Sequence, residues 1–274
     1  MDQWTGTLRL TAENNGSRTA ASHVYHQGAY KIARPIYSDD SGQAYYYVMN
    51  PGGGYVDGDR YRMSLELGER AQVLMTTQSS TKIYRTPRQP VLQMTDIDMK
   101  SGSYLEWLPD PIIGYRDARY RQQTVIHMEK GATLISAEII TPGWSPDGSL
   151  FAYEELSLKT EIYLDRELVL YDRLKLRPGR QPMSGLGVME GHTHYGSLFI
   201  IGEQAKTEFV SAMMEVLDVD RSSGKIGVSE LVVPGFAVRL LADSTQTVER
   251  SFGRIINYVR QQWFGKSPVS LRKY

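Results

Sequence analysis

Hydrophobic and polar residues alternate with period two through much of this chain. Tyr61, Met63, Leu65 and Leu67 alternate with Arg62, Ser64 and Glu66, the mark of a strand with one buried face. Gly68-Glu69-Arg70 turns the chain, and Ala71–Thr77 reads as the returning strand of a hairpin. Glycine and aspartate turns between Asn50 and Asp59 precede this pair, and the polar run Gln78–Lys82 follows it. Shorter strands are predicted at Leu8–Leu10 and Ala44–Met49, and two more within Leu156–Leu176 around Leu164–Glu167. One form recurs at Leu65–Ala71, Ile97–Ser103 and Ile126–Ala132: alternating strand, charged glycine turn, small residue, new strand. The turn glycines Gly68, Gly102 and Gly131 are 34 and then 29 residues apart. Such recurrence predicts strand–turn–strand units stacked side by side, although the hairpins of a sandwich would give similar turns.

Period two gives way to helical spacing in the last third. Glu203–Val219 carries a stripe of Phe209, Val210, Met213, Met214 and Leu217. Val248, Phe252, Ile255, Ile256, Val259 and Trp263 lie on one face of a second helix, with Asp243 or Ser244 as cap and Gly265 as stop. Met and aromatic stripes of this kind are read as core packing. Pro142–Gly148 is a loop, and Arg177–Pro182 a linker or long turn.

Composition narrows the class. The 274 residues include 18 tyrosines and 25 glycines, which favours strands and turns. Residues 1–274 are expected to form one β-rich domain. Thirty-one basic residues balance 31 acidic ones, so charge gives no reason to expect nucleic acid or a membrane as partner. With no cysteine, disulfides and thiolate metal sites are excluded. The first residues lack the basic and apolar regions of a signal peptide, and no apolar run approaches the roughly 18–20 residues of a spanning helix. The expected location is cytoplasmic.

Candidate chemistry is sparse. The glycines of Pro51–Asp59 open a strand and carry Asp57 and Asp59, which repel phosphate, so no nucleotide loop is read there. His192 and His194 have the i, i+2 spacing that places two imidazoles on one strand face. They are weak metal candidates, and a metal store built on them is one reading. Paired carboxylates at Asp57/Asp59, Asp96/Asp98 and Glu154/Glu155 leave open a β-sandwich carbohydrate-active enzyme. Tyr104, Trp107, Tyr115 and Tyr120 lie among Arg, Glu and Asp and are candidates for either an interface or the core.

Several blocks, in order, resemble one family. Asn50–Arg60, Leu74–Gln78, Thr81–Arg85, Tyr104–Pro109, Asp117–Tyr120, Val238–Leu241 and Lys266–Tyr274 closely resemble the urease accessory proteins called UreD, or UreH in some organisms. The resemblance covers nearly the whole chain. It departs at Gly143-Trp144 and Gly148-Ser149, where many members have Gly-Arg and Gly-Glu, so no role of that arginine or glutamate is carried over. The resemblance implies a mainly β fold of stacked, superhelical antiparallel sheets with two helices in the C-terminal third. It implies a non-enzymatic scaffold that binds apo-urease and a UreF-like partner, and through it a UreG-type GTPase. Nickel would be in transit, with no cofactor held stably. A passage for a divalent ion needs weak oxygen or imidazole contacts at several points. Asp59, Glu66 and Glu106 are the carboxylate candidates for it, with Lys82 and Arg119 as counter-charges.

Overall fold

The computed structural model describes residues 4–206, 208, 209, 224–269 and 271. In chain order the strands are β1 (Gly6–Asn14), β2 (Thr19–Gly28), β3 (Lys31–Ile32), β4 (Ala44–Met49), β5 (Arg60–Leu67), β6 (Gln72–Thr77), β7 (Thr81–Ile83), β8 (Val91–Met99) and β9 (Tyr104–Leu108). They continue as β10 (Ile112–Gly114), β11 (Arg119–Met128), β12 (Thr133–Ile140), β13 (Glu155–Leu164), β14 (Glu167–Leu176), β15 (His194–Ile201), β16 (Gly224–Glu230) and β17 (Gly235–Ala242). One sheet runs β14-β13-β11-β8-β5-β1-β2. The facing sheet runs β16-β17-β15-β12-β9-β6-β4-β3, with β7 and β10 paired beside it.

The expected hairpin between β5 and β6 does not form. The Gly68 turn carries the chain from the first sheet to the second, and the β8–β9 and β11–β12 turns do the same. Each unit therefore bends across the core, and its neighbours stack on it running in the same direction. The central ladders, β1-β5-β8-β11-β13 and β4-β6-β9-β12, are parallel, not antiparallel as expected. Antiparallel pairs occur towards the ends, at β1–β2, β13–β14, β3–β4, β12–β15 and among β15, β16 and β17.

Register explains the sequence repeat. Leu65, Ile97, Ile126 and Ile162 are successive partners, as are Leu67, Met99, Met128 and Leu164. Equivalent positions of the stacked units thus form continuous apolar rows, each unit burying its neighbour's flank. The Lys100 N–H donates to Leu67 C=O at 3.0 Å and the Glu129 N–H to Met99 C=O at 2.8 Å, which continues the ladder through the turns.

One helix is described along its length, α1 (Thr245–Phe264). The other expected helix, Glu203–Val219, lies largely outside the described residues; of its stripe Phe209 is described, 4.8 Å ring to ring from Trp263. Ser244 caps α1 by accepting the Thr247 N–H at 3.1 Å, and Gly265 ends it in the left-handed conformation. Val248, Phe252, Ile255, Ile256 and Val259 pack on the outer face of the second sheet, against Leu198, Ile200, Val238 and Leu240. Contact is close because β15 has no side chain at Gly196. A Cβ there would lie 2.5 Å from Val248 Cγ1 and 2.7 Å from Phe252 Cζ. With one face on the core and the other under α1, β9 is buried along its whole length, which is why Tyr104–Leu108 lacks a clean alternation.

A polar fastening holds the end of this helix. Arg260, with no exposed side chain, pairs with the equally buried Glu106. Gln43 Nε2 and Tyr104 OH donate to the same carboxylate oxygen at 3.0 and 2.7 Å. Lys266 Nζ reaches Gln43 and Gln72 at 2.8 and 2.7 Å. Burial pushes the Lys266 ammonium down to about 8.

Candidate functional site

The inner faces of both sheets are mainly apolar, but at one level polar side chains take positions that the alternation reserves for the core. Tyr61, Gln93 and Gln122 stand side by side on β5, β8 and β11. In the next inward row come Thr95, Thr124, Thr160 and Asp172. Opposite them, adjacent strands of the second sheet bring Glu138, Ser197 and Arg239 into one row.

These groups are joined by hydrogen bonds. The hydroxyls of Tyr30 and Tyr55 lie 3.0 Å apart, and Tyr55 OH donates to Gln93 Oε1 at 3.0 Å. Tyr120 OH is 2.9 Å from Gln93 Oε1 and 2.8 Å from Gln122 Oε1. A single hydroxyl proton serves one acceptor at a time, so these two bonds are interchangeable. Gln122 Nε2 donates to Glu138 Oε1. Farther along, Arg239 pairs with Asp172 at 2.7 Å and donates to Ser197 Oγ at 2.9 Å. The result is a polar strip across the strands, between two sheets that are otherwise apolar inside.

Its electrostatics are uneven. Burial raises the phenols of Tyr30, Tyr55 and Tyr120 far above their usual range, so they remain neutral hydroxyls. Burial, then the negative charge of Asp172, pushes the Glu138 carboxyl up to about 7, against the opposing pull of Gln122 and Arg239. Glu138 is deep in the molecule yet keeps some water-reachable surface, because it lines a cavity of about 30 Å3 with Tyr55, Gln93, Gln122 and Asp110. A second space of about 40 Å3 adjoins it, sharing Tyr30, Tyr55, Thr77 and Thr81 and extending to Ser80 and Lys82 near the surface. Each is the size of one or two water molecules.

The residues singled out in the sequence do not meet in this strip. Asp59 accepts from Val56 N–H at 2.8 Å, Tyr61 OH at 3.0 Å and Thr5 Oγ1 at 3.1 Å. It touches the strip only through Tyr61, whose ring stacks 3.9 Å from that of Tyr55. Glu66 points outward on β5 and is exposed. Glu106 faces α1, on the opposite side of the second sheet, and its counter-charge is Arg260. Lys82 lies at the outer space. Arg119 binds the Thr86 carbonyl and lies 3.6 Å from Glu154. His192 Nδ1 is 3.2 Å from Asp243, while His194 Nδ1 meets Thr193 Oγ1 at 2.8 Å. Among the described residues no three His, Asp or Glu side chains converge as metal ligands.

Tyr104, Trp107 and Tyr120 are buried within the chain's own core, so their rings are not free for an interface. Tyr104 packs 4.3 Å from Phe264. Tyr115 is half-buried in a surface row with Tyr84 and Trp144, at ring distances of 4.8 and 5.0 Å. In the loop that follows, Gly143 has φ +86 and approaches the Gly114 carbonyl so closely that a Cβ would lie 2.2 Å from it. Of the carboxylate pairs, Glu154 and Glu155 line one open cavity of about 430 Å3, in company with Arg177 and Arg180. Asp57 accepts from the Gln89 and Arg88 N–H groups, which with the Arg88 guanidinium hold its carboxyl down at about 2. Asp96 and Asp98 lie on the outer face, and Glu155 is held by Arg121 and Arg177.

The family described as UreD urease accessory protein matches residues 5–273. A protein of Lachnoclostridium phytofermentans named urease accessory protein UreD is 46% identical over 274 residues, covering 100% of both chains. Proteins of the same name from Actinomyces naeslundii and Bacillus sp. strain TB-90 are 42% and 40% identical over 270 residues, covering 98% of this chain and 99% of each relative. The chain belongs to the UreD family of urease accessory proteins.

Proposed function

We propose that this chain is a urease maturation scaffold that receives nickel through a UreF-like partner from a UreG-type GTPase and passes it to apo-urease along the inter-sheet strip. The observation that carries the proposal is Glu138: an ionisable carboxylate deep among hydroxyl and amide oxygens, with Asp110 in the same cavity and the Asp172–Arg239 pair farther along the strip, beside water-sized spaces that run towards the surface. Nickel is cargo here. An ion in passage must exchange part of its water shell for groups that hold it weakly at several points, and hydroxyl and amide oxygens meet that need. With its carboxyl pushed up to about 7, Glu138 can gain or lose a proton near neutral pH. An arriving cation displaces its proton and gains a counter-charge, and the returning proton favours release. The chain itself makes and breaks no covalent bond in this account.

Glu106, Glu66 and Arg119 leave the passage in this reading, and Asp59 becomes a support of its Tyr61 side. The test is Glu138→Gln, which keeps the shape and removes the charge. Activation of apo-urease at limiting nickel should slow about tenfold or more, while the variant still co-elutes with its partners on size exclusion. Activation at the unaltered rate would remove Glu138 from the route.

A further inference from the structure

The two sheets end in four strands that differ in how they meet solvent. At one end of the first sheet β14 carries Glu167, Asp172, Arg173 and Lys175. On the second, β16 carries Lys225 and Glu230, and β3 is only two residues long. Charge and brevity are the usual means by which a free edge is kept from pairing with another chain. The remaining edge, β2, has neither. It is ten residues long, reads TAASHVYHQG, and is exposed from Ser22 to Gly28. Val24 and Tyr25 are 46% and 41% exposed.

The ladder phase shows which backbone groups are free. The Ala29 N–H donates to Thr5 C=O at 2.9 Å, and Gly6 faces Gly28 in the same ladder. Hydrogen-bonded pairs alternate along an antiparallel ladder, so Thr7–Gln27, Arg9–Tyr25 and Thr11–His23 are the bonded pairs. Val24 and His26 therefore turn N–H and C=O away from β1, where the strand order ends.

Charge points to the occupant. Residues 14–38 contain Arg18, Lys31, Arg34, His23 and His26 and no Asp or Glu, in a chain whose net charge is zero. Arg9, Arg18, Lys31 and Arg34 are exposed, and none has a carboxylate partner among the described residues. Arg18 precedes β2, Lys31 follows it, and Arg9 lies over the Tyr25 ring at 5.9 Å.

We propose that β2 is a docking edge that accepts an extended, acidic segment of a partner polypeptide as an added strand. Backbone bonds to Val24 and His26 would hold the segment, and carboxylates on it would meet the cations at both ends of the strand. The inference rests on the edge alone and stands whether or not nickel crosses the interior.

The probe is a blocked peptide of alternating valine and glutamate, with a valine–lysine peptide as its counterpart, added to the full chain. Hydrogen exchange at Val24 and His26 should slow about tenfold or more with the acidic peptide, and exchange along β14 should not change. Val24→Pro removes an outward N–H without touching the β1 ladder and should weaken binding about tenfold. Arg18→Glu with Lys31→Glu should do the same. Unchanged exchange at Val24 and His26 under saturating acidic peptide overturns the proposal, and so does equal binding of the lysine peptide. Exchange is read on the unaltered chain, so a folding defect in a variant cannot hide the answer.

Discussion

The environment of Glu138 bears on stability as well as on the proposed transfer. Its folded-state carboxyl titrates near 7, above the ordinary value of 4.5, so the native chain holds a proton that the unfolded chain has lost between those values. Stability from this residue is therefore present at low pH and falls as pH rises through that window. Glu138→Gln should melt higher than the unaltered chain at pH 8 and nearly together with it at pH 5. The difference should be on the order of 1–3 kcal/mol; a gap independent of pH would contradict the assignment. Glu106 makes the opposite prediction. Glu106→Ala removes the buried partner of Arg260 and leaves it Asp39, 3.5 Å away, and should cost up to about 3–5 kcal/mol, measured by denaturant unfolding. A loss under about 1 kcal/mol would mean that Asp39 or entering water compensates the guanidinium.

The signal for this site was present in the sequence but spread over distant segments. Gln93 and Gln122 hold inward positions of otherwise apolar strands, and Glu138 interrupts the run Leu134–Ile140. Each alone reads as an ordinary exception to alternation. Register makes them one feature, and register across 29 or more residues is not written in any local window. Asp59 and Glu106 stood out because their neighbours are polar or aromatic, yet one supports a turn and the other fastens a helix.

At the scale of elements, local chemistry was legible and direction was not. Alternation located β5, β8 and β11, the glycine turns located the repeat, and Ser244 and Gly265 bracketed α1. Whether a turn doubles back or crosses to a facing sheet depends on what its strands pack against, so the β5–β6 hairpin was misread. Parallel stacking needs each chain segment to return by way of the other sheet, which a pair of alternating strands does not disclose. The seat of α1 is testable directly. Gly196→Val places a branched side chain where Val248 and Phe252 already pack and should cost about 1–3 kcal/mol, with loss of protection in α1 before loss in β5 and β8. Uniform loss across the molecule would show that the helix and the stacked units unfold together.

The whole molecule combines an apolar double sheet with a polar strip through it and an uncharged edge at one end. The stacked units form a wall in which each residue row is held by its neighbours on both sides, and the proposed passage would need such a wall to keep weak contacts in place. Covering the second sheet with α1 leaves the outer face of the first open to solvent. Membership of the UreD family places this framework among urease accessory proteins, and the interior strip gives that placement a physical mechanism to test.

The absence of cysteine permits the most direct test, a removable plug. Thr81 lines both water-sized spaces, so Thr81→Cys introduces a unique thiol on the proposed route. Activation of apo-urease at limiting nickel should be near normal for the free thiol. It should fall about tenfold or more once a bulky disulfide-forming reagent is attached, and it should recover when reductant removes it, with complex formation unchanged throughout. Activation that continues at the unmodified rate with the plug in place would contradict transfer through the interior.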